Sequence, residues 1–481
     1  MSRIRRVAEE EFLLIVLLAF FGIVYLTVFP PTLLVADSWL TLVAGREVAE
    51  NGLPHRDELT LLGLGRTWTD QQWGAQLIAY GSHALGGYGL VSVVAAAFAV
   101  GAFAIGAAGA RALGAGPRAV LLLFFPVLLA APWTFTIRAQ VYALPLYTAL
   151  IWLLASEARR PTWRAYLVLP LLVVWTNLHG SAALAALLTM MLGAIELLRS
   201  RGRSGLRSVL LIVLPPLAVL VTPYGPVATV RYYHLLLVDP PFGRELVTEW
   251  RRSDPGFDTL FFYVLAAIAL LVVVIGRRRL GLFDFATLGF TFAGAVLAIR
   301  GIPWFSLACL VLVPVAIGRK LEGRTPRPRR ALDGALALGA VTLLAIVAVF
   351  ALARDDSWYD QKWPEGAVTA TRDALSSPDT RVFATSRDAD WILWRLPELR
   401  GRIAYDVRFE IYDRETFESI VRFRGEQGDD WKSLADGYEI IVLETHQEPS
   451  SHVEDFLAEP HARALYTNDR VTVIQRRVVR S

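Results

Sequence analysis

The chain has 481 residues, of which 54% are hydrophobic and only 19% are charged. This apolar share exceeds what a soluble domain needs for its core, and it predicts a protein solvated largely by a lipid bilayer. The net charge of +4 does not indicate a nucleic-acid partner, because the arginines lie in short clusters between apolar runs. Cys309 is the single cysteine, which excludes disulfides within the chain and metal sites built from several cysteines.

The apolar runs predict a polytopic α-helical membrane protein with about eleven transmembrane helices. The first run, 12–34, follows a basic N-terminus and is too long for a signal peptide, so we expect an uncleaved span. The remaining spans are expected at 88–110, 119–135, 141–155, 165–178, 181–198, 208–222, 258–276, 282–299, 303–317 and 331–353.

Every second connection between these spans carries arginines, and the positive-inside rule places those connections in the cytoplasm. The opposite connections carry the carboxylates, including Asp37, Asp70 and Glu249. We therefore expect a cytoplasmic N-terminus and carboxylate chemistry on the outer face. An odd number of spans puts the C-terminal region on that same side.

The first outer connection, 36–87, is too long for a simple link and predicts two amphipathic helices lying at the membrane interface. The first runs from Asp37 to Asn51, with Leu40, Val43, Ala44 and Val48 on one face, and the second from Asp70 to Leu85. Asp37 and Asp70 each have two interpretations: an N-cap, or a general base or metal ligand at the mouth of a membrane cavity.

A polar turn, Trp175-Thr-Asn177-Leu-His179-Gly180, joins two short apolar runs. Non-helical backbone at membrane depth is tolerated only where protein buries it or where it lines a cavity. His179 alone would be a hydrogen-bonded structural histidine, whereas with Asn177 beside it a water-filled pocket becomes a second interpretation.

Further polar insertions occur at the predicted outer ends of spans. Arginine suits multidentate recognition of phosphate oxygens, although each arginine could instead be an interfacial anchor. Their convergence on one face predicts a site for a phosphate or diphosphate headgroup. The candidate substrate-binding residues are Arg138, Asn177, Glu249, Arg251, Arg252 and Arg300.

From residue 355 onwards the composition becomes charged and mixed, which predicts a transmembrane domain over 1–354 and a soluble α/β domain over 355–481. Strands are expected at 381–384, 402–405, 439–443 and 470–475, with helices at 387–396 and 413–424. Asp406 and Arg408 end one strand, where they form either a surface salt bridge or part of a membrane portal.

No P-loop, GxGxxG, HExxH or GxSxG motif occurs, so a cytosolic nucleotide donor is not indicated. In order and topology the chain instead resembles the GT-C superfamily of membrane glycosyltransferases, and among them bacterial relatives of protein mannosyltransferases and aminoarabinose transferases. The residues that carry the resemblance are Asp37-Ser-Trp-Leu, Gly45, Gly52-Leu-Pro54, Trp68 to Trp73, Arg138, Trp175-x-Asn177-x-His179-Gly180, Pro223-Tyr-Gly225, Glu249-Trp250 and Arg300.

The resemblance implies transfer of a sugar from a polyprenyl-phosphate donor to a lipid, glycan or protein acceptor, in the bacterial inner membrane. It implies Asp37 as catalytic base. Asp70 and His179 are further catalytic candidates because of their positions in the first outer connection and in the polar turn. Many relatives carry adjacent acidic residues in this loop, whereas Ser38 follows Asp37 here. A divalent metal therefore stays an open question, and no other cofactor is expected.

Two other classes of function compete with this one. A transporter or flippase for a lipid-linked glycan would use the short, broken spans as a gate, although no internal repeat is visible. A non-catalytic scaffold for envelope assembly would keep the fold without the reaction. The enzyme hypothesis further predicts that Asp37, His179, Glu249 and Arg300 line one cavity.

Overall fold

The computed structural model describes residues 11–28, 34–130, 132–200, 205–238, 248–321, 330–445 and 451–477, and these are mostly helical. The helices up to the middle of the chain are α1 Phe12–Thr27, α2 Ala36–Asn51, α3 Trp73–Ala112, α4 Pro117–Ala130, α5 Ala139–Arg159, α6 Val168–Thr176, α7 Ala182–Ser200, α8 Gly205–Val219 and α9 Gly225–Leu237. The later helices are α10 Leu260–Gly276, α11 Leu282–Leu297, α12 Ile302–Ile317, α13 Arg330–Ala353, α14 Asp356–Tyr359, α15 Glu365–Asp373, α16 Ser386–Arg395, α17 Arg414–Gly425 and α18 Ser451–Leu457. The strands are β1 Val382–Ala384, β2 Ile440–Glu444, β3 Arg463–Thr467 and β4 Val471–Gln475.

Six segments of the described chain are helical, long and apolar enough to cross a membrane: Trp73–Ala112, Ala139–Arg159, Ala182–Arg199, Leu260–Arg279, Ile299–Ile317 and Ala331–Ala353. Shorter apolar helices occupy the remaining predicted positions, at Phe12–Thr27, Pro117–Ala130, Trp163–Thr176, Gly205–Val219 and Leu282–Leu297. The prediction of a multi-pass helical membrane protein is confirmed. The total of eleven crossings and their direction stay predictions.

The contacts divide the chain into two compact units. Unit 1 contains Met1–Pro30, Ser82–Pro226 and Val247–Arg354, and unit 2 contains Pro31–Gly81, Val227–Leu246 and Asp355–Ser481. The predicted boundary at residues 354 and 355 is one of the points where the chain passes between the units. The first outer connection belongs to the same unit as the C-terminal region.

Unit 1 is organised around a helix that is buried along its length. Every residue of α12 from Ile302 to Ala316 is buried, including Cys309, because an all-apolar helix is stable at the centre of a bundle. A cluster of aromatic rings packs beside it from α1, α3 and α4, where Phe21 lies 5.2 Å from Phe103 between ring centroids. The helix α13 exposes most of its apolar residues, as expected for contact with lipid.

Unit 2 has a four-stranded sheet in the order β1-β2-β4-β3. β1 and β2 are parallel, whereas β4 pairs antiparallel with both β2 and β3. The predicted strands at 381–384, 439–443 and 470–475 and the predicted helices at 387–396 and 413–424 are confirmed within a residue or two. β3 was not predicted, because its mostly exposed residues show no alternation of apolar and polar side chains.

The predicted strand at 402–405 is wrong. This extended segment forms only isolated bridges, from Ile403 to Val382 on one side and to Thr60 on the other. Leu61 and Leu62 donate backbone N–H bonds of 2.7 and 3.0 Å to the carbonyls of Ile403 and Ala404. The residues that pair with this segment on that side therefore belong to the first outer connection. No local pattern in 402–405 predicts such a pairing.

The predicted amphipathic helix at 37–51 exists, and within unit 2 it packs on the C-terminal region. Trp39 is fully buried, and its ring lies 5.1 Å from that of Trp363. Arg46 donates hydrogen bonds of 3.1 and 2.9 Å to the carbonyls of Trp394 and Leu393 at the end of α16. Residues of the C-terminal region therefore cover this side of α2, so its apolar residues there contact protein and not lipid.

Both predicted N-caps are wrong in detail. Val35 occupies the cap position of α2, its N–H donates to the Ser38 hydroxyl at 3.0 Å, and Asp37 lies in the first turn. The second helix begins at Trp73, three residues after Asp70. A break at Gly86 and Gly87, the latter at φ +60°, separates the predicted loop helix from the predicted span at 88–110.

Candidate functional site

Three predicted substrate-binding residues come together in unit 1. Glu249 joins two guanidinium groups: Arg138 Nη1 donates to its Oε1, and Arg300 Nη1 lies 3.8 Å from its Oε2. The Arg300 guanidinium also lies 5.4 Å from the centroid of the Trp250 ring, within the range of a cation–π contact. One carboxylate thus orients two arginines.

Short turns hold these side chains in position. Arg138 is the extended residue just before α5, Glu249 lies in the 3-10 turn Thr248–Trp250, and Arg300 lies in the 3-10 turn Ile299–Gly301 between α11 and α12. Backbone bonds link the segment after the first turn to the end of α11 and the start of the second turn. The Ser253 N–H donates to Val296 O at 3.1 Å. The Ile299 N–H likewise donates to Arg251 O at 3.0 Å.

His179 belongs to the same cluster electrostatically, and its tautomer follows from its hydrogen bonds. The Ser181 N–H donates to Nδ1 at 3.2 Å, so Nδ1 is an acceptor and Nε2 carries the proton of the neutral ring. Trp175 Nε1–H donates to Ser181 Oγ at 3.0 Å, and that hydroxyl lies 2.7 Å from Nδ1. The turn 175–181 therefore presents a neutral histidine with an Nε2–H donor.

Burial and the two nearby arginines keep His179 neutral and Glu249 ionised. Burial lowers the pKa of His179 to about 3, with further lowering by the positive charges of Arg300 and Arg138. Burial alone would raise the pKa of Glu249, but Arg138 and Arg300 outweigh it and hold that pKa below its usual range. At neutral pH the cluster holds two positive charges, one negative charge and a neutral imidazole.

The other predicted binding residues are engaged elsewhere or exposed. The Asn177 amide donates to the carbonyls of Val173 and Val221, at 2.8 and 3.0 Å, and so fastens the end of α6 to the end of α8. The Arg251 guanidinium pairs with Asp258, and the Arg252 side chain is exposed. A role for these three residues in substrate binding stays a prediction.

Asp37 and Asp70 belong to unit 2, and sequence reasoning missed an acidic neighbour of Asp37 there. Asp390 on α16 is fully buried close enough to Asp37 for their charges to interact. Burial raises the pKa of Asp390 well above its usual range, Asp406 adds to this and Arg408 opposes it. Asp390 was missed because it lies in the middle of a predicted amphipathic helix, where acids are ordinary.

Asp70 is buried and only partly satisfied. Its Oδ1 accepts from the Gln72 N–H at 3.1 Å and from Gln76 Nε2 at 3.0 Å, whereas its Oδ2 has no hydrogen-bond partner among the described residues. Burial raises the pKa of this carboxyl to about 7, although the two hydrogen bonds and Arg408 oppose the shift. The group is therefore protonated or ionised according to the pH around neutrality.

The predicted surface salt bridge at Asp406 and Arg408 is wrong, because both residues are buried. Arg408 Nη2 lies 2.8 Å from Asp57 Oδ1, and Arg408 Nε donates to Asp406 Oδ2 at 2.7 Å. The guanidinium also lies 4.1 Å above the Trp68 ring. Since a lone charge cannot be buried cheaply, Asp57 of the first outer connection and Asp406 neutralise it together.

No group of three or more His, Cys, Asp or Glu side chains with the spacing of a metal site occurs among the described residues. The described residues therefore offer no evident ligand set for a divalent metal, and the question raised from the sequence stays open.

No protein-family model matches the sequence, and no curated protein matches it. Among solved structures, the crystal structure of ArnT from Cupriavidus metallidurans bound to undecaprenyl phosphate matches with a TM-score of 0.54 over 96% of this chain and 97% of that chain, at 13% identity. The chain has the fold of ArnT. The apo structure of the same protein matches with a TM-score of 0.47 over 92% and 93% of the two chains, at 15% identity.

The match to ArnT extends over residues of both units, so the two chains share their fold. At 13% identity it carries no residue roles from one chain to the other. Those roles follow from the geometry described above.

Proposed function

We propose that this chain is a membrane glycosyltransferase that moves a sugar from a polyprenyl-phosphate donor to a hydroxyl of a lipid, glycan or protein acceptor. The observation that carries the proposal is the cluster of Arg138, Glu249, Arg300 and His179, which offers oriented hydrogen-bond donors beside apolar helices. The fold supports it, because the matching ArnT structure contains undecaprenyl phosphate.

The charges of the cluster fit a phosphodiester that becomes a phosphate monoester. Two arginines and Glu249 leave one net positive charge, which matches the single charge of a sugar phosphodiester. When the bond between the sugar C1 and the phosphate oxygen breaks, the leaving polyprenyl phosphate gains negative charge. Donors already in place stabilise that developing charge without reorganisation, which is the usual origin of electrostatic catalysis.

In this proposal His179 donates a hydrogen bond and does not act as a base. A pKa near 3 keeps the ring neutral, and Nδ1 is already an acceptor for Ser181. The Nε2–H is the group left to meet a phosphate or sugar oxygen. Glu249 orients both guanidinium groups rather than contacting the donor as a free carboxylate.

Asp37 is proposed as the general base that takes the proton of the acceptor hydroxyl, while the acceptor oxygen forms the new bond to C1 in an inverting displacement. Asp390 supports this role through its raised pKa. A protonated Asp390 places no second negative charge beside Asp37.

The test is transfer of a radiolabelled sugar from polyprenyl-phosphate sugar, with donor binding measured separately on the same purified protein. Asp37→Asn should lower turnover by about 100-fold or more while donor affinity changes little, because only proton transfer is lost. Arg138→Ala should weaken donor binding by about tenfold or more, because a charge-assisted contact is lost. Arg160→Ala, which removes an exposed arginine outside the cluster, is the matched control.

Undiminished turnover of Asp37→Asn would remove Asp37 as the base. Equal donor affinity in the Arg138→Ala and Arg160→Ala variants would remove the cluster as the phosphate site. Scrambling of a lipid-linked sugar in reconstituted vesicles without product formation would favour the transporter, which the structure does not otherwise single out.

A further inference from the structure

Unit 2 contains a cleft of about 370 Å³ that none of the roles above uses. Small-molecule sites typically enclose about 300–1,000 Å³, so the cleft has the size of a site for a small ligand. Three stretches of unit 2 form its walls, from the first outer connection, α9 and the segment before α17. The lining residues are Arg66 to Thr69, Arg231, Tyr232, Leu235 and Glu410 to Asp413.

The charges in the cleft balance. Arg66 Nη2 lies 2.7 Å from Asp413 Oδ2, and the lining contains one further arginine, Arg231, and one further acid, Glu410. An anionic ligand would gain little from such a site, because the lining contains as many carboxylates as guanidinium groups. Polar groups of both signs do suit a ligand that carries many hydroxyls, since each hydroxyl both donates and accepts.

The cleft also offers aromatic and hydroxyl side chains. Tyr232 contributes a partly exposed ring, Trp68 and Tyr412 contribute buried rings to the inner wall, and Thr67 and Thr69 contribute hydroxyls. Aromatic residues combine an apolar face with a polar edge, which suits a sugar ring with its C–H faces and peripheral hydroxyls. Balanced charge, rings and hydroxyls together distinguish a carbohydrate from a phosphate or a purely apolar ligand.

The inner wall of the cleft is held rigidly by the buried network. Trp68 is 3% exposed and stacks against the Arg408 guanidinium at 4.1 Å. The Tyr412 hydroxyl accepts from the Asp406 N–H at 3.0 Å and lies 3.3 Å from the Thr60 hydroxyl. Side chains locked in this way lose little entropy when a ligand binds, which favours a specific site.

We propose that this cleft is a carbohydrate-binding subsite that takes an uncharged sugar residue of the acceptor glycan. Its use in the reaction rests on the proposed transferase function, whereas sugar binding itself does not. Arg231 and Glu410 would donate to and accept from sugar hydroxyls, and Tyr232 would cover the ring.

The experiment uses the full chain in lipid nanodiscs, titrated with the neutral disaccharides maltose, mannobiose and chitobiose and followed by saturation-transfer NMR. At least one disaccharide should bind saturably, and Arg231→Ala and Glu410→Gln should each weaken that binding by about tenfold. His234→Ala, an exposed change on the same helix outside the cleft, should bind as the unmodified protein does. Unchanged thermal unfolding would show that the variants are folded.

Absence of saturable binding by all three disaccharides would overturn the proposal, as would binding that Arg231→Ala and Glu410→Gln leave unaltered. Displacement of the bound sugar by millimolar inorganic phosphate or by an acidic peptide would assign the cleft to an anion instead. Polyprenyl-phosphate binding is measured in parallel with Arg138→Ala, so a failure of the donor site is seen separately from a failure of this cleft.

Discussion

At the scale of single residues, the balance between burial and nearby positive charges decides which carboxylates in this protein are ionised. Glu249 stays ionised because two guanidinium groups outweigh its burial, whereas two hydrogen bonds and the charge of Arg408 do not offset the burial of Asp70, whose pKa rises to about 7. The same residue type can therefore be a fixed charge in one place and a titrating group in another.

Asp70 should make stability fall as pH rises. Its folded pKa of about 7 lies above the ordinary aspartate value of 3.8, so the folded state binds the proton more tightly than the unfolded chain. The stability that protonated Asp70 contributes is fully present below pH 3.8 and is lost as pH rises from there through about 7. The unfolding midpoint of the unmodified protein, relative to Asp70→Asn, should therefore fall over this range and become constant above about pH 8.

Asp436→Asn is the control for this measurement, because Asp436 is an exposed carboxylate of the same unit. The difference in unfolding midpoint between Asp436→Asn and the unmodified protein should not show the pH dependence expected for Asp70→Asn. An Asp70→Asn offset that is independent of pH would contradict the raised pKa.

At the scale of residues, sequence reasoning found part of the candidate site. His179, Glu249 and Arg300 were predicted to line one cavity with Asp37, because polar groups at membrane depth must face water, ligand or one another. The first three lie with Arg138 in unit 1, whereas Asp37 belongs to unit 2 and its place in that cavity stays a prediction. Asn177, Arg251 and Arg252 could not be separated from them, since neighbours on a short turn point in different directions. Asp390 could not be found at all, because its significance depends on a contact with a helix more than 300 residues earlier.

At the scale of elements, the close packing of α2 against the start of α3 depends on a glycine. A Cβ at Gly45 would lie 2.3 Å from the carbonyl oxygen of Gln76 and 2.7 Å from Cβ of Tyr80. Backbone cannot give way as a flexible side chain can, so any larger residue forces the two helices apart.

Gly45→Ala should destabilise unit 2 by about 1–3 kcal/mol through overpacking. Gly81→Ala is the matched change, because a Cβ there meets nothing within 4 Å, and alanine should gain about 0.5–1 kcal/mol of helix propensity. Thermal unfolding of the two variants should therefore move in opposite directions. Equal shifts would show that the α2–α3 contact is looser than described.

The elements themselves were largely predictable, and their partners were not. Apolar runs and helical periodicity located the helices of unit 1, and the Gly86–Gly87 break fell between two predicted segments. The segment 402–405 failed as a strand because its neighbours are Thr60 to Leu62, and β3 failed because its side chains are mostly exposed. Local sequence patterns predict which residues are buried, but they do not predict which segments pair when hundreds of residues separate them.

At the scale of the whole molecule, unit 2 is discontinuous in sequence and its parts are mutually dependent. Glu47 and Asp57 of the first outer connection meet Arg400 and Arg408 of the C-terminal region at 2.6 and 2.8 Å. Removing either side leaves a buried charge without its partner, which is among the more destabilising changes a protein can undergo.

A fragment comprising residues 355–481 alone should therefore lack a cooperative unfolding transition and near-ultraviolet circular dichroism, because Arg408 and Trp363 lose their partners from 34–81. Joining residues 34–81 to it by a flexible linker should restore both signals. The same linked fragment carrying Asp57→Ala is the control, and it should lose much of the gain. A fragment 355–481 that unfolds cooperatively by itself would contradict this dependence.

The three-part composition of unit 2 also has a consequence for biosynthesis. The ribosome finishes residue 81 long before it reaches residue 355, and at about 5–20 residues per second the intervening chain takes roughly 14–55 s. During that interval Trp39, Glu47 and Asp57 have been made but their partners have not. These side chains therefore lack their C-terminal partners for most of the time in which the bundle is synthesised.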